Sequence, residues 1–316
     1  MANKQEQTRW PTESAGVYVT TDTVIRVSGD DAQSWLNGQL TADVRNIAAG
    51  AAVYALATSI KGRVLTDAWA VRGAEGLAMV LPATCKEAAL ASFEKYIIME
   101  DVEFASDDTL TVVTVQGPRA PAVVDGLVAG LARFPCGRLY PRPGLDVWVP
   151  TAELEAVLTQ LTRAAREQGG GLLDTGGWSY AHVALGVPRA GVDFGSDTYP
   201  QEAGLKVRAV SFSKGCYLGQ EVVYMLENRG QLSRKLVQLT QLPADAAAGD
   251  PLFDAEGKRV GELTSVAQAD GPGIALGYVK RAQAEAGTRV RVRDADCQVS
   301  CVLGLTDGVC PVVAHP

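Results

Sequence analysis

The residues whose chemistry stands out lie together in Lys214–Glu221, KGCYLGQE. Cys216 stands just before a run that reads as a helix from about 218 to 228. A thiol there has its thiolate favoured by the unpaired N–H groups of a helix start and by the Lys214 ammonium two residues away. Nucleophilic, soft-ligand and redox roles all follow, against the alternative of a cysteine buried on the helix start. Gly215 and Gly219 lack a Cβ and let backbone come close to a ligand. Gln220 and Glu221 can meet a donor, and Glu221 equally serves as a first-turn charge favourable to the helix dipole. Asp67, in KGRVLTDAW, is the second candidate, because a carboxylate between apolar strand residues is costly to bury unless it is bonded or paired. It could hold an amine or guide a proton, or pair with Arg63. Tyr199, Tyr217 and Tyr224 could stack on a planar ligand or pack in the core.

Other chemistries are poorly served. His182 and His315 are the only histidines, no GxSxG elbow accompanies either, and the GxGxxG, GxxxxGK[ST] and HExxH patterns are missing. Six cysteines, at 85, 136, 216, 297, 301 and 310, read as reduced. Cys297, Cys301 and Cys310 lack the paired spacing of a zinc site, so no metal ligands are expected. A net charge of −7 argues against a duplex-DNA binder. Locally the sign reverses: Lys206, Arg208, Lys214, Arg229, Arg234 and Lys235 face only Glu221 and Glu227, an island suited to an anionic tail or a short RNA, or simply to solvent.

These residues need a frame. Residues 17 to 29 read as strands, followed by a helix from about 31 to 39 with Asp30 as cap and Gln33 reciprocating. Strands at about 51 to 59 and 64 to 71 flank the Lys61-Gly62-Arg63 reversal, a third follows near 76 to 81, and Thr84 with Glu87 makes a capping box for a helix to about Tyr96. The alternation continues with strands at 110 to 117 and 145 to 149 and helices at 118 to 131 and 151 to 168. From about Leu236 short β-like runs alternate with glycine-rich turns, which reads as a small barrel. A 316-residue chain with 47% hydrophobic residues can bury such cores unaided, and without a signal-like or 18-residue apolar stretch it reads as cytoplasmic, off the membrane.

The string KGCYLGQEVV resembles the signature of the YgfZ branch of the folate-binding T-protein superfamily. Asp197, Pro200, Glu202, Gly204 and Leu205 match that family's D-x-x-P-x-E-x-G-L element; VSGDDAQSWLNGQLTADV, KGRVLTD and TSVAQADGPGIALGYV resemble its opening run, its turn and its barrel segment. The resemblance spans roughly residues 17 to 303. It implies an α+β fold of two ferredoxin-like units, 1 to 110 and 111 to 232, and a C-terminal β-barrel, 233 to 316, set as a three-part ring around tetrahydrofolate or a derivative. It places Asp67 near the folate N5/N10 edge and Arg208 or Lys206 at the glutamate tail. Lys214, Gly215, Tyr217, Gly219, Gln220 and Glu221 join the cofactor site, with Cys216 as the acting residue.

The T-proteins' R-x-E-A-G glutamate is replaced by Ala184, their paired aspartates by Thr66-Asp67, and they lack the KGCY cysteine. The function implied is therefore a folate-binding accessory factor for iron–sulfur cluster assembly or repair, supporting tRNA modification indirectly. Its partners would be iron–sulfur proteins or their assembly machinery, with weak tRNA contact, and no stable cluster is expected on one cysteine. The alternatives are a tetrahydrofolate-dependent aminomethyl or one-carbon transferase and a cofactor-free RNA- or protein-binding scaffold.

Overall fold

A computed structural model describes residues 13–127, 129–228, 230–269, 271–304 and 310; the first twelve residues, Arg229 and His315 lie outside them. In chain order come β1 (Gly16–Val19), β2 (Asp22–Ser28), α1 (Ala32–Gln39), β3 (Ala52–Thr58), β4 (Val64–Gly73), β5 (Gly76–Pro82), α2 (Lys86–Glu94) and β6 (Glu103–Ser106). Then follow β7 (Leu110–Gln116), α3 (Ala120–Val124), β8 (Ala132–Phe134), β9 (Gly144–Pro150), α4 (Leu154–Glu167), β10 (Gly171–Leu172) and α5 (Thr175–Leu185).

Strand periodicity decides what each sheet face meets. The first sheet runs β3-β4-β5-β2-β6. Ile25 and Val27 of β2 and Ala68 and Ala70 of β4 point to one face and pack with Trp35, Leu36 and Phe93 of α1 and α2. The opposite face, with Val24, Trp69 and Val71, packs on Val112, Phe134 and Trp148 of the second sheet. Asp67 alternates with Trp69, so its side chain enters this inter-sheet layer. The second sheet runs β10-β1-β7-β9-β8, and its outer face is covered by α3 and α4 through Val115, Val123, Val149 and Leu161. β1 thus lies between β7 and β10, far along the chain, instead of beside β2.

α5 is capped by Asp174, whose Oδ1 accepts from Gly177 N at 2.7 Å, and it ends at Gly186 with φ 66°. Two short helices follow, α6 (Lys206–Ala209) and α7 (Gln220–Asn228). The chain ends in a closed six-stranded barrel made by β11 (Arg234–Leu242), β12 (Pro251–Phe253), β13 (Arg259–Ala269), β14 (Gly271–Lys280), β15 (Arg289–Val292) and β16 (Ala295–Val302). Its interior holds Val237, Leu239, Leu252, Val279 and Val299, and Leu236 and Leu276 on its outside pack on α5. The α+β architecture with a C-terminal barrel is the one expected.

Several local expectations are corrected. Asp31, not Asp30, precedes α1, and it makes no side-chain cap. Gln33 instead bridges out of the helix, donating to Arg45 O and accepting from Arg72 Nη1 at 2.7 Å. The Thr84–Glu87 box does not form, because a 3-10 turn over Ala83–Cys85 intervenes before α2. The helix expected over 118 to 131 shortens to α3, with Gly126 and Gly130 taking positive φ. The cysteines are not all reduced: the end of β16 brings Cys301 within a Cα separation of 5.5 Å of Cys310, and the two form a disulfide. Among the described residues, no helix is long and apolar enough to cross a membrane.

Candidate functional site

Asp67 opens onto a cavity of about 380 Å³ between the two sheets and α5, a size in the range of small-molecule sites. β3 and β4 supply Tyr54, Asp67 and Trp69; β1 supplies Tyr18; α5 supplies Trp178 and His182, which face the same way because they are four residues apart; and the segments around them supply Arg138, Arg189 and Arg208. Asp67 Oδ2 accepts from Tyr54 Oη at 2.8 Å, whereas Oδ1 is buried and has no partner. Burial raises the pKa of the Asp67 carboxyl; the Tyr54 hydrogen bond opposes the rise and nearby Asp22 adds to it.

Two aromatic pairs wall the cavity. Tyr18 and Trp178 stack at 4.7 Å between centroids, and Tyr54 and Trp69 meet at 5.2 Å. The Arg208 guanidinium sits 4.2 Å from the Tyr54 ring centroid and 5.6 Å from that of Trp69, and it donates to Gly137 O at 2.6 Å. Burial lowers its pKa from the usual arginine value. Arg138 is a different case. Burial disfavours its charge, but Asp146 and Asp22, each 2.6 Å away, hold it firmly protonated, so it is already neutralised from within the protein. Arg189 donates from Nη1 to Ser179 Oγ at 2.8 Å and leaves its buried Nε unpartnered. Burial, helped by Arg189, pulls the pKa of His182 down to about 3, so its imidazole is neutral and bonded through Nδ1 to Val187 O at 3.0 Å.

The KGCYLGQE segment is elsewhere. Lys214 is 7% exposed, and its Nζ donates to Asn37 O, Leu40 O and Ala42 O at 2.5, 2.6 and 2.7 Å. Its three donors are spent on the end of α1. Burial brings its pKa down to about 8. Gly219 has φ 82°, and a Cβ on it would lie 2.4 Å from Ser59 O and 2.9 Å from Thr58 Oγ1. It therefore seats the start of α7 on the Lys61-Gly62-Arg63 turn, where Thr58 Oγ1 donates to Leu218 O at 2.5 Å. Tyr217 is buried and Cys216 is exposed. Gln220 and Glu221 open α7.

The structure thus brings Asp67 and Arg208 into one cavity, and leaves Lys206, Lys214, Gly215, Cys216, Tyr217, Gly219, Gln220 and Glu221 outside its lining. Lys206 pairs with Glu227 at 2.6 Å on another face. Ala184 is packed in the core against the barrel, and its carbonyl accepts from Gln238 Nε2 at 3.0 Å. Sequence reasoning passed over Tyr18, Tyr54, Trp69, Arg138, Trp178 and Arg189. The alternation of Asp67 with Trp69 and the four-residue step from Trp178 to His182 were the available signals. Among the described residues, no group of three His, Cys, Asp or Glu is placed to hold a metal.

Arg63 and Glu202 tie this frame together. The Arg63 guanidinium lies over the Tyr199 ring at 3.6 Å and 3.5 Å from Glu202, whose Oε2 also accepts from Tyr199 N at 3.1 Å and lies 3.6 Å from Arg234 Nε of the barrel.

Comparison with known proteins agrees with this architecture. The GCVT N-terminal domain model matches residues 3–139 and the glycine cleavage T-protein C-terminal barrel domain model matches residues 234–305. The tRNA-modifying protein YgfZ of Sodalis glossinidius is 26% identical over 282 residues, 86% of each chain. That of Escherichia coli O157:H7 is 26% identical over 314 residues, 93% of this chain and 95% of the relative. The glycine cleavage system aminomethyltransferase T from Bartonella henselae superposes with a TM-score of 0.79 at 24% identity, over 96% of this chain and 88% of that one, which is a likeness of fold. With both characteristic domains in order and the fold closed around them, the chain belongs to the glycine-cleavage T-protein superfamily and is related to its YgfZ proteins.

Proposed function

We propose that the chain binds tetrahydrofolate or a derivative in the Asp67 cavity and acts as an accessory factor for iron–sulfur cluster proteins, supporting tRNA modification through them. The observation that carries the cofactor part is the unpartnered, buried Asp67 Oδ1 between two aromatic walls. A carboxylate oxygen without a donor is costly in such a place, and the N5–H and N10–H groups of a tetrahydrofolate offer donors to it. Tyr54, Trp69, Tyr18 and Trp178 suit its flat rings, and Arg208 and the unpartnered Nε of Arg189 suit an acidic tail. When bound, a reduced folate supplies one-carbon and redox chemistry. The protein's own residues fix the ring edge at Asp67 and keep His182 neutral, so that it neither competes for an anion nor donates charge.

The accessory role rests on the KGCYLGQE resemblance, on relatives named tRNA-modifying proteins, and on the exposure of the Cys216 thiol. Iron–sulfur proteins or their assembly machinery are the partners proposed for that thiol. The aminomethyltransferase alternative needs a second small substrate beside Asp67. It predicts methylenetetrahydrofolate formed from an amine.

Calorimetric titration of the anaerobic, reduced protein with tetrahydrofolate tests the cofactor reading. Saturable binding in the micromolar range, weakened about tenfold by Asp67→Asn and unchanged by Cys216→Ser, is the expected result. A flat titration at millimolar ligand sinks it. The accessory role is tested by the activity of an iron–sulfur tRNA-modifying enzyme in cells whose copy of this chain carries Cys216→Ser. An activity equal to wild type removes the cysteine from the account.

A further inference from the structure

A second concave site lies on another face, where α6 and α7 meet the start of the barrel. Its volume is about 180 Å³, and it shares no lining residue with the Asp67 cavity. Strand pairing builds it: Lys235 of β11 is opposite Val279 of β14, and Arg281 N donates to Ser233 O at 3.0 Å, which sets Lys235 and Arg281 side by side at the rim. Lys206 joins them from α6. The only carboxylate in the lining is Glu227, and it is taken by Lys206 at 2.6 Å. Lys235 and Arg281 have no side-chain hydrogen bond or ion pair among the described residues. Burial first, then Arg281 and Lys206, lower the pKa of Lys235.

The floor is polar in the opposite sense. Gln201 is 7% exposed, and its Nε2 is spent on Val223 O at 2.8 Å, which fixes the amide's orientation and leaves Oε1 buried without a partner. Gly204 and Gly304, both at positive φ, cross backbone to backbone beside it: a Cβ on Gly304 would lie 2.7 Å from Gly204 Cα. A ligand that satisfies this lining carries an anionic group for two unpaired cations and, next to it, a donor for one amide oxygen.

We infer that this crevice is a ligand site for a phosphate ester that also bears a hydroxyl, of the size of a sugar phosphate. The phosphate oxygens meet Lys235 and Arg281 at the rim, and the hydroxyl donates to Gln201 Oε1. Its volume falls below the usual range for drug-sized ligands. The same chemistry is offered by a free sugar phosphate and by the ribose-phosphate unit of an RNA strand.

The test is calorimetric titration of the full chain with ribose 5-phosphate, with ribose, and with a short single-stranded oligoribonucleotide. Ribose 5-phosphate binds saturably and ribose does not; Lys235→Gln and Arg281→Gln each weaken binding about tenfold, as expected for loss of one charge-assisted contact. Gln201→Met weakens ribose 5-phosphate as well; because Gln201 is buried, the rim variant Arg281→Gln keeps the test sound if that protein fails to fold. Binding of the oligoribonucleotide tighter than the ester, and lost in the same rim variants, assigns the site to a strand, and the reverse order assigns it to the free ester. No saturation by either at millimolar concentration, or binding unchanged by both rim variants, overturns the inference.

Discussion

Tyr54 and Asp67 are diagonal neighbours across the β3–β4 ladder, where Tyr54 pairs with Trp69 and Asp67 with Leu56, and they share one hydrogen bond of 2.8 Å that leaves the buried Oδ1 of the carboxylate unanswered. Because burial raises the folded-state pKa of Asp67, its contribution to stability is present at low pH and is lost as pH rises through that value. Asp67→Asn keeps an acceptor for Tyr54 and removes the charge. The variant is therefore expected to melt at a higher temperature than wild type at pH 8 and with wild type at pH 4, while binding tetrahydrofolate more weakly. Thermal melts across that pH range check the sign.

His182 gives a pH dependence of the other kind. Its folded pKa of about 3 lies below the ordinary histidine value, so the stability it confers is present above about 6.5 and is lost as pH falls toward 3. Between pH 6 and 4, one proton of linkage gives a slope of about 1.4 kcal/mol per pH unit. Urea unfolding of His182→Gln should show that slope reduced by about this amount; an unchanged slope would mean that other groups take up the proton.

Lys214→Met tests whether the motif lysine is an anchor. Three carbonyls at the end of α1 lose their donor, at a cost of about 2–4 kcal/mol after allowing for the release of a buried ammonium. The expected result is a melting temperature lower by several degrees with tetrahydrofolate affinity retained once the protein is folded. A variant as stable as wild type that fails to bind would instead make Lys214 a ligand group.

The disulfide makes its own prediction. Cys310→Ser opens a loop with a sequence separation of nine and is expected to cost about 2–3 kcal/mol under oxidising conditions. Dithiothreitol should bring wild type down to the variant, and a wild-type midpoint indifferent to reductant would show that the bond carries no stability in solution.

The legible part of this molecule is the part written in local pattern. Alternation marked the strands, glycines marked most reversals, and the change of texture near Leu236 marked the barrel. Asp67 was visible because a carboxylate in an apolar strand has few bland explanations. Its surroundings were not visible: Tyr18, Trp178, Arg138 and Arg189 come from four separate segments, and only the packing of one sheet on another makes them neighbours. Lys214 misled in an instructive way. Two residues from a cysteine it reads as the thiol's counter-charge, yet a lysine can be drawn inward when three carbonyls converge, and no spacing in the sequence announces the end of α1 as their source. The Cys301–Cys310 bond was hidden for the same reason, since two cysteines nine apart in the sequence carry no spacing signal for pairing.

The placement of β1 has a consequence for how the chain is made. β2 to β6 can close their sheet once residue 106 has left the ribosome, but β1 must wait for β7 and then for β10, whose last residue is Leu172. Val17 and Val19 belong to a strand with two open edges until β7 is made and one open edge until β10 is made, a template for pairing with another nascent copy. β1 is therefore synthesised well before it is secured, and a chain cut short before Leu172 would carry an adhesive edge on that strand.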